Sequence, residues 1–129
     1  MPPTPAPPLI TDIASATAFF ATLVRGHVET AAAAFLDPEW RLLGTARFAG
    51  EAGTVAPSIR AIVEQALALN AVALVIAHGH PRGDPAPSVA DLAFTRHLAR
   101  TLRAIDMTLV DHLIFGTHAV VSLRDRGIL

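Results

Sequence analysis

The sequence predicts an α/β domain of the α+β type, a single mixed β-sheet packed by helices. Three observations predict it. Apolar residues recur at helical spacing in three separate segments. Paired short apolar runs bounded by turn residues lie at 28–48 and 107–123, as antiparallel strands do. One run, AVALVIA at 71–77, is continuously apolar, as a central strand covered on both faces is. The chain has 129 residues, 52% of them hydrophobic, which suffices for one domain with a real core. The resulting order, α-β-β-α-β-α-β-β, mixes strands with helices and so suggests one sheet.

Residues 1–10 hold five prolines. Proline donates nothing to a ladder and disfavours helix, so this segment reads as a disordered, polyproline-like arm, with 11–129 as the domain. Thr11 or Asp12 caps a first helix running to about Arg25, with Ile13, Ala16, Phe19, Phe20, Leu23 and Val24 on its apolar face. Gly26 stops it. Val28–Leu36 and Trp40–Phe48 form a hairpin around Asp37-Pro38-Glu39, although the alanines at 31–34 are poor strand material. Residues 49–56 connect it to a second helix. That helix begins at Pro57-Ser58, with Ile59, Ile62, Val63, Ala66 and Leu67 on one face, and Asn70 closes it in a left-handed cap. The buried strand follows at 71–77, then a Gly/Pro loop at 79–87. Ser88 opens a third helix to about Ile105, with Leu92, Thr95, Leu98, Ala99 and Leu102 inward. Strands at 107–115 and 118–123 end the chain, split by Gly116-Thr117.

Composition excludes several functions. There is no cysteine, hence no disulfide, thiolate metal site or Cys nucleophile. Net charge is −1 and all ten cations are Arg, so the chain lacks the electrostatic footprint expected of a nucleic-acid binder. No apolar stretch is long enough to span a membrane. MPPTPAPPLI has no basic start and apolar core, so it is no signal peptide, and a cytoplasmic location is expected by default.

The chemistry concentrates in HGHPRGDPAPSVAD, residues 78–91. His78 and His80 are two apart at the end of the buried strand and so share a face, while Gly79 points away. The prolines and glycine of the loop restrict it and lower the entropy lost in fixing a ligand. Asp91 follows in the first turn of the third helix. Two neutral His and one carboxylate leave tetrahedral Zn2+ one open position, a catalytic arrangement. Ser88-Val89-Ala90-Asp91 is also a capping box, which by itself accounts for Ser88 and Asp91. A strand ending in two same-face His, a rigid loop and then Ser-x-x-Asp is hard to explain by packing alone.

His-x-His, seven residues, Ser, two residues, Asp resembles the signature of the JAMM (MPN-plus) metallopeptidases. The surroundings are more similar still to the RadC branch, where HNHPSGDPxPS is followed by D and a Thr; here the sequence reads HGHPRGDPAPSVADLAFT. FLDPEWRLL resembles the family's hairpin, APSIRAIVEQALALNAVALVIAH its helix and central strand, and VDHLIFG its DHxIxG strand. The resemblance covers roughly residues 28–123. It implies the JAMM/MPN, cytidine-deaminase-like architecture and zinc-dependent hydrolysis of a peptide or isopeptide bond in a peptide or protein substrate. It also implies that Glu29, at a fixed interval before the Leu-Asp turn, is the general base that moves a proton from the attacking water to the leaving nitrogen. Ser88 would then donate its hydroxyl to the developing oxyanion. Two positions depart from the RadC pattern, Gly79 for Asn and Arg82 for Ser, and they bear on substrate fit and loop rigidity.

Other readings stay open. The domain reads alternatively as a non-catalytic accessory or binding module linked to DNA repair or mobile elements. The helix-hairpin-helix region that full-length RadC proteins carry is not in these residues, which is expected to weaken a repair role. Hydrolysis of another C–N or a phosphoester bond is a third reading. Asp111-His112 reads either as support for the ligands or as a strand pair, and Asp84 likewise. Arg96, Arg100 and Arg103 read as a solvated stripe, with a partner surface as the lesser reading. His27, His97 and His118 are assigned nothing. Oligomeric state, a homodimer included, is left open.

Overall fold

The computed structural model describes residues 8–21, 24, 30–49, 58–80 and 83–129. Eight elements follow the predicted order: α1 (Ile13–Phe20), β1 (Thr30–Leu36), β2 (Leu42–Ala49), α2 (Ile59–Ala68), β3 (Ala73–Gly79), α3 (Val89–Ala104), β4 (Thr108–Phe115) and β5 (Val120–Ser122). The strands form one sheet in the order β2-β1-β3-β4-β5. β3 and β4 are parallel, and the other pairs are antiparallel. The expected single mixed sheet packed by helices is therefore present.

Side chains from alternate strand positions face two separate layers. Ala32, Ala34, Val75 and Ala77 pack with Ala16 and Phe20 of α1. Ala33, Phe35, Leu74 and Ile76 pack on the opposite side with Ile62 and Ala66 of α2 and Leu98 and Leu102 of α3. The alanine run is a strand because both its faces are covered: Ala31–Ala34 are all buried. Burial and close layer approach override its weak intrinsic preference. All of β3 is buried too.

Local chemistry sets the boundaries. Asp12 caps α1 by accepting the Ser15 N–H at 2.8 Å, and Ser15 Oγ accepts the Asp12 N–H in return. This helix stops at Phe20 rather than near Arg25. Beyond it Val24, 2% exposed, is packed into the core layer beside β3. In the hairpin turn Asp37 Oδ1 accepts the N–H groups of Glu39 and Arg41, and Trp40 takes a left-handed φ of 66°. Asn70 closes α2 at φ 55° as expected. Leu67, expected on the buried face of α2, is 58% exposed, because the packed stripe runs through Ile62 and Ala66 to Leu69. Of the segment read as a free arm, Pro8 and Ile10 hydrogen-bond to Leu42 and Trp40, and Ile10 is buried. Residues 1–7 lie outside the described residues. No helix among the described residues is long and apolar enough to cross a membrane.

Candidate metal centre

β3 runs two residues further than the apolar run, so His78 and Gly79 are inside it. The His80 N–H continues the parallel ladder by bonding the Phe115 carbonyl at 2.9 Å. Strand alternation places His78 and His80 on the α3 side of the sheet, in line with Leu74 and Ile76. Gly79 faces the α1 side, where a Cβ would stand 2.1 Å from the Val24 carbonyl oxygen. The absence of a side chain between the two His is thus set by the approach of Val24. An Asn here, as in the RadC pattern, would need that backbone to move.

The loop is docked at its other end. Gly83 adopts φ +84°, and a Cβ there would strike Thr117 Oγ1 at 2.3 Å. The Thr117 N–H bonds the Gly83 carbonyl at 3.1 Å. The chain then enters α3 through the predicted capping box. Asp91 N–H donates to Ser88 Oγ at 3.0 Å, and Ser88 N–H donates to Asp91 Oδ2 at 2.8 Å. Cap and ligand roles do not compete, because the same carboxylate faces both imidazoles. Asp91 Oδ1 lies 3.4 Å from His78 Nε2, and Oδ2 lies 3.3 Å from His80 Nε2. The two Nε2 atoms are 2.9 Å apart. One ligand atom from each of the three residues lies within 4.8 Å of the others. His78 is buried, while His80 and Asp91 are partly exposed, so the cluster is closed on one side and open to solvent on the other.

The proton positions follow from the surrounding bonds. Thr95 Oγ1 donates its one proton to the Asp91 carbonyl at 2.8 Å, as buried helical threonines do. It therefore accepts from His112 Nδ1 at 2.6 Å. His112 Nε2 is then the acceptor toward His78 Nδ1, 2.7 Å away. The His78 proton is fixed on Nδ1, and its Nε2 lone pair faces the cluster. His80 reaches the same tautomer by donating from Nδ1 to the Asp84 carbonyl at 2.6 Å. With both imidazoles neutral, two nitrogen lone pairs and a carboxylate thus converge with no proton between them, an arrangement that repels itself unless a proton or a metal cation sits there. Donors bound to zinc at about 2.0–2.1 Å in a tetrahedron are about 3.3 Å apart, close to the N–O separations here. The donor set and the two N–O separations suit a metal ion such as zinc, while the two nitrogens, 2.9 Å apart, stand closer than that spacing.

Burial acts to raise the Asp91 carboxyl. The facing His78 ring, when it carries a proton on Nε2, and the Ser88 N–H and hydroxyl outweigh it and hold the group far below the usual carboxylate range. Burial, with the neighbouring His78 and His80, pushes His112 down to about 3 against the partial support of Asp91. An unfolded chain takes up a proton near pH 6.5 that folded His112 refuses. The unfolded state therefore binds more protons below that pH, and stability falls as pH drops from about 6.5 toward 3. Urea melts in EDTA between pH 7 and 4.5 should show this, at up to about 1.4 kcal/mol per pH unit from this group. His112→Gln should flatten the slope by close to one proton; an unchanged slope contradicts the buried neutral imidazole.

Among the sequence-predicted residues, the structure brings together His78, His80 and Asp91, with Ser88 beside them. Glu29 lies outside the described residues, as do Arg82 and His27. The pair Asp111-His112 divides by strand alternation. His112 supports His78, whereas Asp111 accepts from the His112 N–H, the Ser122 hydroxyl and the Arg124 N–H and so ties β4 to the turn after β5. Asp84 serves the site through its carbonyl, and its carboxylate holds the loop by accepting the Ala86 N–H. Thr95 was expected only as an inward packing residue. Its place one turn after Asp91 on the same helix face was the available signal.

The RadC-like JAB domain family matches residues 10–128. A UPF0758 protein of Bordetella avium is 39% identical over 108 residues, 83% of this chain and 48% of that protein. One from Halorhodospira halophila is 37% identical over 124 residues, 95% of this chain and 55% of that protein. One from Cupriavidus taiwanensis is 44% identical over 92 residues, 70% of this chain and 40% of that protein. The chain spans about half the length of these curated relatives.

Proposed function

The chain belongs to the RadC-like JAB domain family, and from that premise we propose that it is a zinc-dependent hydrolase of peptide or isopeptide bonds. The observation that carries this reading is the convergence of His78 Nε2, His80 Nε2 and the Asp91 carboxylate, one ligand atom from each lying within 4.8 Å of the others. Three protein ligands with one open side is the donor set of catalytic rather than structural zinc. Bound there, zinc would supply Lewis acidity, activating water and polarising the scissile carbonyl.

The remaining work falls to side chains. Glu29 takes the proton of the attacking water and delivers it to the leaving nitrogen. Ser88 is exposed, and its Oγ accepts the Asp91 N–H. A hydroxyl has one donor besides its acceptor sites, so its proton is available to an oxyanion forming beside the cluster. The carboxylate of Asp91, fixed by the Ser88 N–H, orients one ligand while α3 holds it in place. The exposed edges of His80 and Asp91 are where an extended substrate would approach.

Elemental analysis of the purified chain, with a screen of peptide and isopeptide libraries, tests the proposal. About one zinc per chain is expected, together with cleavage that chelator abolishes and zinc restores. His80→Ala should lose both metal and cleavage. A chain that cannot be loaded with zinc, or cleavage that persists in His80→Ala, would sink the hydrolase reading and leave the accessory-module reading in its place.

A further inference from the structure

Four of the ten arginines converge on one cavity remote from the metal centre. Arg96, Arg100 and Arg103 come from α3 and Arg124 from the turn after β5. With Met107, Leu109 and Ile128 they line a cavity of about 360 Å³. Leu109 is registered beside Leu74, and Ile114 beside His78. The cavity thus lies at the other end of β4 from the metal centre, roughly 17 Å along that strand.

A solvated stripe explains three arginines on one exposed helix side. It does not explain Arg124, which a different element brings to the same cavity. The Arg124 Nε–H is held by the Val110 carbonyl, which orients its guanidinium before any ligand arrives. Nor does a solvated stripe explain the buried Met107 and Leu109 beneath the charges. Arg41 and Arg60 pair with Glu39 and Glu64, whereas the four cavity arginines have no ion pair among the described residues. Among the described residues no Asp or Glu lines the cavity, and Leu129 completes its wall. Like charges spaced at i, i+4 and i+7 repel, and an anion relieves that repulsion.

We propose that this cavity binds a small, multiply charged organic phosphate. Its phosphoryl groups meet the guanidiniums of Arg96, Arg100, Arg103 and Arg124, and its body rests on Met107, Leu109 and Ile128. Guanidinium forks match phosphate oxygens two at a time. Four cations suit phosphoryl groups better than a single carboxylate. The volume is at the small-ligand end of the usual range of about 300–1,000 Å³ and fits a body of mononucleotide size. A nucleic-acid duplex would need an extended basic surface, and a chain of net charge −1 offers only this concave patch.

Isothermal titration calorimetry with ADP, in EDTA so that the metal centre cannot chelate it, reads this site directly. Saturable binding of one ADP per chain is expected. Arg100→Glu and Arg124→Glu should each weaken it at least tenfold, while Arg60→Glu leaves it unchanged. Pyrophosphate, a charge without a body, and octanoate, a body without phosphate, should each bind at least tenfold more weakly than ADP. Melting temperatures identify any variant that fails to fold. Arg100 is exposed and makes no ion pair among the described residues, so its variant carries the test if Arg124→Glu unfolds. Absence of saturable ADP binding overturns the proposal. So does binding that survives the charge reversals within threefold, or a short DNA duplex that binds through the same arginines more tightly than ADP.

Discussion

Glu29→Gln is expected to leave zinc content at the wild-type level and to lower turnover by about 10²–10⁴-fold, the usual contribution of a positioned acid/base. The change is close to isosteric, and it removes only the capacity to carry a proton. The three groups placed to hold a metal ion are His78, His80 and Asp91, so metal stoichiometry should not respond. β1 begins at Thr30, and Ala31 is registered opposite His78; Glu29 precedes them in sequence and is outside the described residues. The measurement is zinc content beside single-turnover cleavage of the best library substrate. Glu29→Asp gives the control, because it keeps an ionisable group at shortened reach and should recover part of the rate. Turnover within a few-fold of wild type in Glu29→Gln removes Glu29 from the reaction. Loss of zinc in the same variant makes it a ligand and contradicts the assigned division of roles.

The parts of this molecule that were legible in its sequence are those with local causes. Asp37, Asn70, Ser88 and the continuous apolar run before His78 act on their own neighbours, and each is found where local chemistry expects it. The His78, His80 and Asp91 cluster was legible for a related reason. A two-residue spacing on a strand and a helix cap ten residues further on need only one loop to meet. The misplacements have tertiary causes. α1 stops at Phe20 while Val24 packs beside β3 with its carbonyl against Gly79. Leu67 is left outside because the packed stripe of α2 turns toward Leu69. The alanine strand depends on layers supplied by α1 and α2. Spacing alone could not find Glu29, whose role rests on family resemblance. The arginine stripe on α3 was visible, but nothing in the order of residues joins it to Arg124. That requires the fold of the chain's last turn.

The link from Thr95 through His112 to His78 was the least legible part, because it joins residues 17 and 34 positions apart through the parallel register of β3 and β4. It also makes the second strong prediction. Thr95→Val is expected to weaken zinc binding about 10–100-fold without touching a ligand. In the wild type, the Thr95 proton goes to the Asp91 carbonyl, and that choice orders every proton behind it. With valine, His112 Nδ1–H loses its acceptor in a fully buried place. His112 then gains by moving its proton to Nε2 and donating it to His78 Nδ1. That forces the His78 proton onto Nε2, the atom that must face the metal with a lone pair. Thr95→Ser restores the hydroxyl and should recover most of the affinity, whereas a merely structural role for the buried threonine predicts a lowered Tm in EDTA with zinc affinity intact. Nitrogen NMR of the metal-free protein supplies the deciding readout, with His78 protonated on Nδ1 in the wild type and in Thr95→Ser, and on Nε2 in Thr95→Val. A folded Thr95→Val protein that holds zinc within threefold of wild type, or keeps its His78 proton on Nδ1, shows that the tautomer is set by something other than this chain of bonds.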